Sequence, residues 1–267
     1  MTGFRGRYGP WALIAGASEG LGAAFAAEAA ARGLDLVLVA RRPGPLAETA
    51  DRLRARFGVQ VRTVAADLGE PATHSEVLPA ATGGLQVGLV VANAAWAPVG
   101  PFLELDDDAV LRVLLVNASA PVQLARRYLP PMAGRGRGGF VLVSSAAGLQ
   151  GSPGLAAYAA SKAFGRVLAE GLWAELRPHG VHVLACVAGA VRTPGLARAA
   201  AGRAPGALSA TRVAVETYRG LGRGPVLVPG RFMPVATAVL RLLPRRAAVA
   251  LMGRASSGLT PGAPDTA

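Results

Sequence analysis

The chain has one lysine among 267 residues, one cysteine, three histidines and only 16 acidic residues, and aromatics make up 5%. Each scarcity excludes something. A single thiol, Cys186, forms no intrachain disulfide; in the apolar run Val183-Leu-Ala-Cys-Val187 it reads as a buried thiol in a protein of a reducing cytoplasm. His74, His179 and His182 are too dispersed to form a metal-binding cluster with one cysteine, so no metal site is expected. The histidines read as solvent-exposed or helix-end residues and offer no clear catalytic base. No apolar run reaches the ~18 residues needed to cross a bilayer. Met1–Pro10 has no hydrophobic signal region. Charged residues are only 16% and hydrophobic ones 52%, so the chain can bury a large core and most of its length is not disordered.

The acid deficit leaves a net charge of +12. The arginines are scattered in ones and twos, and Phe4-Arg-Gly-Arg-Tyr8 is the one basic stretch rich in aromatics. That pattern argues against nucleic-acid binding. Attraction of anionic cofactors and substrates is the more economical use of the charge.

Short β-branched runs alternate with longer alanine- and leucine-rich segments. Strands are expected at 11–15, 35–40, 59–64, 88–93, 140–144, 181–187 and 225–228. Helices are expected at 21–32, 45–57, 71–81, 106–132, 156–178 and 209–221. Continuous apolar strands separated by helices predict a single α/β domain over 1–254, a doubly wound parallel sheet covered on both faces. Residues 255–267 read as a disordered tail. The segment 232–254 is apolar with interspersed arginines and broken at Pro244. It reads as a helix packed on the domain or, alternatively, as a membrane-surface or partner-binding helix.

Three motifs carry chemistry. After the first strand, Gly16-Ala-Ser-Glu-Gly20-Leu-Gly22 opens a helix, and glycines there let backbone N–H groups approach a pyrophosphate. At the end of the second strand stand Arg41 and Arg42, where an acidic residue would hold the 2′-hydroxyl of NAD; guanidinium groups there suit a 2′-phosphate, so NADP(H) is expected over NAD(H). The lone lysine, Lys162, follows Tyr158 by four residues, one helical turn, so ammonium and phenol share a face and the cation would lower the tyrosine pKa.

These motifs, with Asp67, Asn93-Ala94, Asn117 and Ser145 in matching order and Ser145 13 residues before Tyr158, resemble the short-chain dehydrogenase/reductase family from about residue 8 to 228. The resemblance implies a Rossmann-like domain of about seven strands. It makes Tyr158 the general acid/base and has Ser145 hold the substrate oxygen. Lys162 would bind the nicotinamide ribose, and Asn117 a water of the proton relay. Cofactor contacts are implied for Gly16, Ser18, Glu19, Gly20, Leu21, Gly22, Arg41, Arg42, Asp67 (adenine), Leu68, Asn93, Ala94, Tyr158, Lys162, Gly189, Val191 and Thr193 (carboxamide). Ser144 reads as a strand-end packing residue. Trp96, Phe102, Leu149 and the segment 194–208 are expected to border an apolar pocket for a hydrophobic carbonyl compound or alcohol. The glycine turn and Val226-Leu-Val-Pro-Gly230 are similar to family members acting on acyl or lipid-like ketones.

Departures from the family pattern fall at Ala15, Ala92, Ala95 and Ala188. The first two remove polar groups that usually tie neighbouring strands. They motivate a second reading, an NADP-binding regulatory or scaffold protein with little turnover. A homodimer or homotetramer is expected, because the helices at 106–132 and 156–178 carry more apolar surface than one sheet face needs.

Overall fold

The computed structural model describes residues 3–199 and 206–256. Nine strands are described: β1 (Trp11–Ala15), β2 (Asp35–Ala40), β3 (Val61–Ala65), β4 (Val87–Ala92), β5 (Gly138–Ser145), β6 (Val181–Ala188), β7 (Val191–Arg192), β8 (Leu208–Ser209) and β9 (Val226–Leu227). The helices are α1 (Phe4–Tyr8), α2 (Gly20–Ala31), α3 (Pro43–Phe57), α4 (Leu78–Thr82), α5 (Asp107–Leu114), α6 (Ala120–Gly134), α7 (Ala156–Leu176), α8 (Pro194–Ala199), α9 (Ala210–Gly220), α10 (Met233–Leu242) and α11 (Arg245–Ser256). Seven strands form one parallel sheet in the order β3-β2-β1-β4-β5-β6-β9, and β7 pairs with β8 outside it. The order reverses between β1 and β4, which opens a crevice at their carboxyl ends.

The apolar strands are buried because both faces are covered. On one face Ile14, Leu36, Leu38 and Val141 pack with Phe25 and Ala29 of α2 and Tyr218 of α9. On the other, Leu13, Val37, Val90 and Phe140 pack with Leu124, Tyr128 and Met132 of α6 and Ala169 of α7. Helices α5 and α6 run as one continuous helix over Asp107–Gly134, long and apolar enough by composition to cross a membrane. Its inner side covers the sheet through Leu124, Tyr128 and Met132, so it is a core helix.

The aromatic, basic N-terminal stretch is engaged inside the domain. Phe4 packs on Tyr8 and Tyr218, and the Arg32 guanidinium stands 4.6 Å over the Phe4 ring. Arg5 pairs with Asp35 at 3.1 Å. Arg7 donates to Gly180 O (2.8 Å) and to His182 Nε2 (3.0 Å), while the Tyr8 hydroxyl lies 2.6 Å from His182 Nδ1. The histidine expectation needs correcting. His179 is exposed at a helix end, but His74 is buried with Nε2 2.9 Å from Leu68 O, and His182 lies half-buried in β6. Cys186 is a buried free thiol, and burial raises its pKa to about 11.

Helix α11 continues through Ser256, two residues into the segment read as tail, and 257–267 lie outside the described residues, as do 200–205 of the expected pocket segment.

Candidate active site

The carboxyl ends of β1, β2, β4, β5 and β6 converge on one cleft. At β1 the chain turns through Gly16 (φ +77°) into Gly20 (φ +60°), a left-handed conformation that costs glycine least. A Cβ on Gly22 would lie 1.9 Å from Gly16 O and 2.7 Å from Asn93 Nδ2, so the turn closes only with hydrogen there. Gly16 N and Ala17 N donate to Val39 O at 2.8 and 3.1 Å, which fixes the turn on β2. Asn93 Nδ2 bonds both Ala15 O (3.3 Å) and Gly16 O (3.0 Å). That one amide ties β4 to β1 despite alanines at 15 and 92. No side chain caps the first turn of α2, leaving its N–H groups directed at the cleft. Thr193, at the end of β7, would meet a Cβ on Gly20 at 3.1 Å and caps α8 by accepting from Leu196 N. The turn therefore has the glycine cradle and donor set that a pyrophosphate needs.

Beside it, at the ends of β2 and β3, Arg42 pairs with Glu19 at 3.1 Å. Exposed Arg41 stands 5.5 Å over the Trp96 ring. The Asp67 carboxylate accepts from Gly69 N (2.8 Å) and pairs with Arg112 of α5, whose guanidinium also lies 5.5 Å from the centre of the Trp96 ring. Arg112 was not among the residues read from sequence; it lies on a helix remote in sequence from the strand ends, and only the fold brings it to Asp67. The Trp96 ring thus lies between the Arg41 and Arg112 guanidinium groups, and its Nε1 donates to Ala109 O at 3.1 Å.

At the other end, Ser145 closes β5 and Tyr158 lies in the first turn of α7. The Ser145 hydroxyl lies near enough to the Tyr158 phenol to act on its pKa, lowering it. Ser144 is a packing residue: its hydroxyl donates to Lys162 O at 2.7 Å and pins α7 to β5. Gly148 permits the same close approach, since a Cβ there would sit 2.7 Å from Ala163 N. Buried Lys162 donates Nζ to Val143 O at 3.0 Å and lies 5.5 Å from the centre of the Tyr158 ring.

The electrostatics differ from the sequence expectation. Burial holds the Tyr158 phenol above its usual pKa, and the Ser145 hydroxyl only partly opposes it. Burial also lowers Lys162 to about 8. With its ammonium turned to a backbone carbonyl, Lys162 does not bring the phenol down in this state.

Asn117 sits in a π-turn, Leu115–Ser119, between α5 and α6. Its Oδ1 accepts from Trp96 N (2.8 Å), and its Nδ2 donates to Trp96 O (2.9 Å) and Ser161 Oγ (3.0 Å). The amide thereby joins the Trp96 loop to α7. Leu149 ends a 3-10 turn after Ser145 and Leu68 is buried beside Asp67; Val191 is buried in β7. Gly189 faces Met233, another residue missed from sequence, whose Cε would lie 2.9 Å from a Cβ at 189. Among the described residues no cluster of His, Cys, Asp and Glu could hold a metal.

Comparison with known proteins agrees with this geometry. The short chain dehydrogenase family model matches residues 10–204. A very-long-chain 3-oxoacyl-CoA reductase from Anas platyrhynchos is 32% identical over 179 residues, 66% of this chain and 57% of that protein, so the chain spans just over half of that relative's length. The structure of a 7β-hydroxysteroid dehydrogenase superposes with a TM-score of 0.87 at 28% identity, covering 94% of this chain and 99% of the other. A short-chain dehydrogenase from Sphingobium yanoikuyae in complex with NADPH gives 0.79 at 33% identity, covering 86% and 92%. A glycine cradle at the sheet's switch point, a serine–tyrosine pair beside a buried lysine and these matches lead to one conclusion: the chain belongs to the short-chain dehydrogenase/reductase family of oxidoreductases.

Proposed function

We propose that this protein interconverts a bulky hydrophobic ketone or oxoacyl compound and its secondary alcohol, with NADP(H) preferred over NAD(H). The observation that carries the reading is the neighbouring Ser145–Tyr158 pair at the carboxyl end of β5, with Lys162 buried one helical turn away.

A nicotinamide dinucleotide, when bound at the glycine turn, supplies or accepts the hydride. The chain supplies the rest. In carbonyl reduction, negative charge builds on the substrate oxygen; the Ser145 hydroxyl donates to it and the Tyr158 hydroxyl gives it a proton. A phenol whose pKa is raised by burial keeps its proton through the neutral range, which suits donation. Alcohol oxidation needs the phenolate, so that direction should accelerate as pH rises. The Lys162 ammonium steadies a developing phenolate once its Val143 contact relaxes. Asn117 fixes the Trp96 loop against α7.

Relatives named for 3-oxoacyl-CoA and 7β-hydroxysteroid support a hydrophobic substrate class, and the NADPH complex of the Sphingobium protein supports the cofactor. Arg41 adds to the cofactor reading. Arg42 is already paired with Glu19, whereas the described contact of exposed Arg41 is an indole face. A self-associated state is part of this proposal, with Leu111 and Leu114 of α5 and Phe164 and Val167 of α7 exposed on adjoining helices.

A panel of hydrophobic ketones, oxoacyl thioesters and secondary alcohols, followed by nicotinamide absorbance, tests the reading. Tyr158→Phe should lower kcat by roughly 10²–10⁴-fold while NADPH binding persists. NADPH binding without turnover across the panel would instead support the scaffold reading.

A further inference from the structure

We infer that the outer face of α10 and the start of α11 docks on an anionic membrane surface. Phe232, Val235, Val239 and Leu242 are all exposed, Phe232 and Leu242 by more than four-fifths. At 100° per residue they fall within an arc of about 80°, one continuous apolar stripe. The opposite side of the same helix faces the protein: Thr237 is buried and Met233 packs toward Gly189. The stripe is therefore a surplus face of a helix already anchored in the fold.

The charge beside it has one sign. From Thr217 to Pro264 the chain contains no aspartate or glutamate, and it carries arginines at 219, 223, 231, 241, 245, 246 and 254. Arg231, Arg245 and Arg246 are exposed next to the stripe. Self-association through this face would bring like charges together, because a two-fold contact sets the same patch against itself. The other exposed apolar surface, on α5 and α7, is different in kind: it is interleaved with Asp107, Asp108 and an Arg166–Glu170 pair at 2.6 Å, and both signs suit a second copy. A convex apolar stripe edged only by arginines matches lipid acyl chains beneath anionic headgroups.

The position adds a reason. Helix α10 leans on the 146–149 turn after Ser145, Arg245 Nη1 donates to Leu149 O at 3.2 Å, and Gly253 of α11 abuts Pro153. The docked face would thus lie on the outer side of the elements that border the reacting end of the cleft, where a lipid-soluble substrate would enter.

The test is co-sedimentation of the full-length protein with vesicles, without any activity readout. Vesicles of equal parts phosphatidylcholine and phosphatidylglycerol should bind the protein in low salt and release it as salt rises, and phosphatidylcholine alone should not bind it. Val239→Glu and Arg246→Glu should each weaken binding about ten-fold or more with unchanged melting temperature. Val77→Glu, at an exposed position just before α4, which packs on β3 at the opposite edge of the sheet from β9, should leave it intact. Equal binding to both vesicle types, no binding to either, or full binding by Val239→Glu would overturn the inference. So would a fall in light-scattering mass on Val239→Glu, which would make the face a self-contact.

Discussion

Arg41 and Arg42 are neighbours of one residue type with different surroundings, and that difference sets their expected roles. Arg42 shares its charge with Glu19 across the glycine turn, whereas Arg41 lies exposed over Trp96. A charge-assisted hydrogen bond to a phosphate is worth roughly 1.5–3 kcal/mol, and 1.4 kcal/mol is a factor of ten. Arg41→Asp should therefore cut the NADPH-over-NADH ratio of kcat/KM by about ten-fold or more, acting mainly on cofactor KM. The same change at Arg42 should do less, because its charge is already shared with Glu19. An unmodified protein that uses NADH as well as NADPH would refute the cofactor assignment. At this scale the serine, tyrosine, lysine and glycine positions were legible, since their spacing is local. Arg112 and Met233 were not, since each reaches the cleft from a distant helix. The surroundings of Tyr158 are less legible: spacing puts a cation on the same helix face, while burial, which raises the phenol pKa, depends on the whole fold.

Among the elements, β1 and β2 have the boundaries expected from their apolar runs, and α9 and α2 differ from expectation by a residue at each end. The larger differences have physical causes. Strand β5 begins two residues early, at Gly138, in a stretch that reads as a turn; Gly139 is there because a Cβ would sit 2.9 Å from the Tyr8 ring. The two π-turns, Thr73–Val77 and Leu115–Ser119, lie inside segments whose periodicity is simply helical, and no local signal separates the two windings. Helix α1 has no counterpart in the sequence reading because five residues, two of them arginine and one glycine, are too few to carry an apolar period. The glycine turn is the element most sensitive to change. Gly22→Ala forces a methyl group onto Gly16 O, a backbone atom that cannot swing aside, and against the Asn93 amide that ties β4 to β1. Overpacking of this kind costs about 1–3 kcal/mol. It should lower the melting temperature, and NADPH, expected to raise the melting temperature of the unmodified chain in thermal-shift measurements, should no longer do so.

For the whole molecule, the N-terminus acts as a clasp. Arg7 and Tyr8 reach the edge of β6 from the far end of the chain, and both bond His182. Arginine can only donate, so His182 Nε2 must be unprotonated in this arrangement and Nδ1 carries the hydrogen. Burial first, and then the Arg7 charge, lower the His182 pKa. A base with a depressed folded pKa binds more protons when unfolded, so its contribution to stability is intact above the unfolded pKa of about 6.5 and is lost as pH falls below it. The melting temperature should decline on acidification through that range, and His182→Gln should flatten the decline; equal slopes for the two proteins would remove the clasp from the account.

The lone lysine also makes the protein its own reporter of local opening. An endoprotease that cleaves only after lysine has one target, Lys162, which is buried beneath the serine–tyrosine pair with its carbonyl held by Ser144. The native chain should resist such an enzyme, and any opening should release two pieces, residues 1–162 and 163–267. Where reclosing outpaces cleavage, the rate of that single cut measures the free energy of exposing α7 around Lys162, and arginine-directed cleavage elsewhere does not report on it. A ligand that seats on the cleft should slow the cut in proportion to its occupancy, so substrates could be ranked by protection before any turnover is detected.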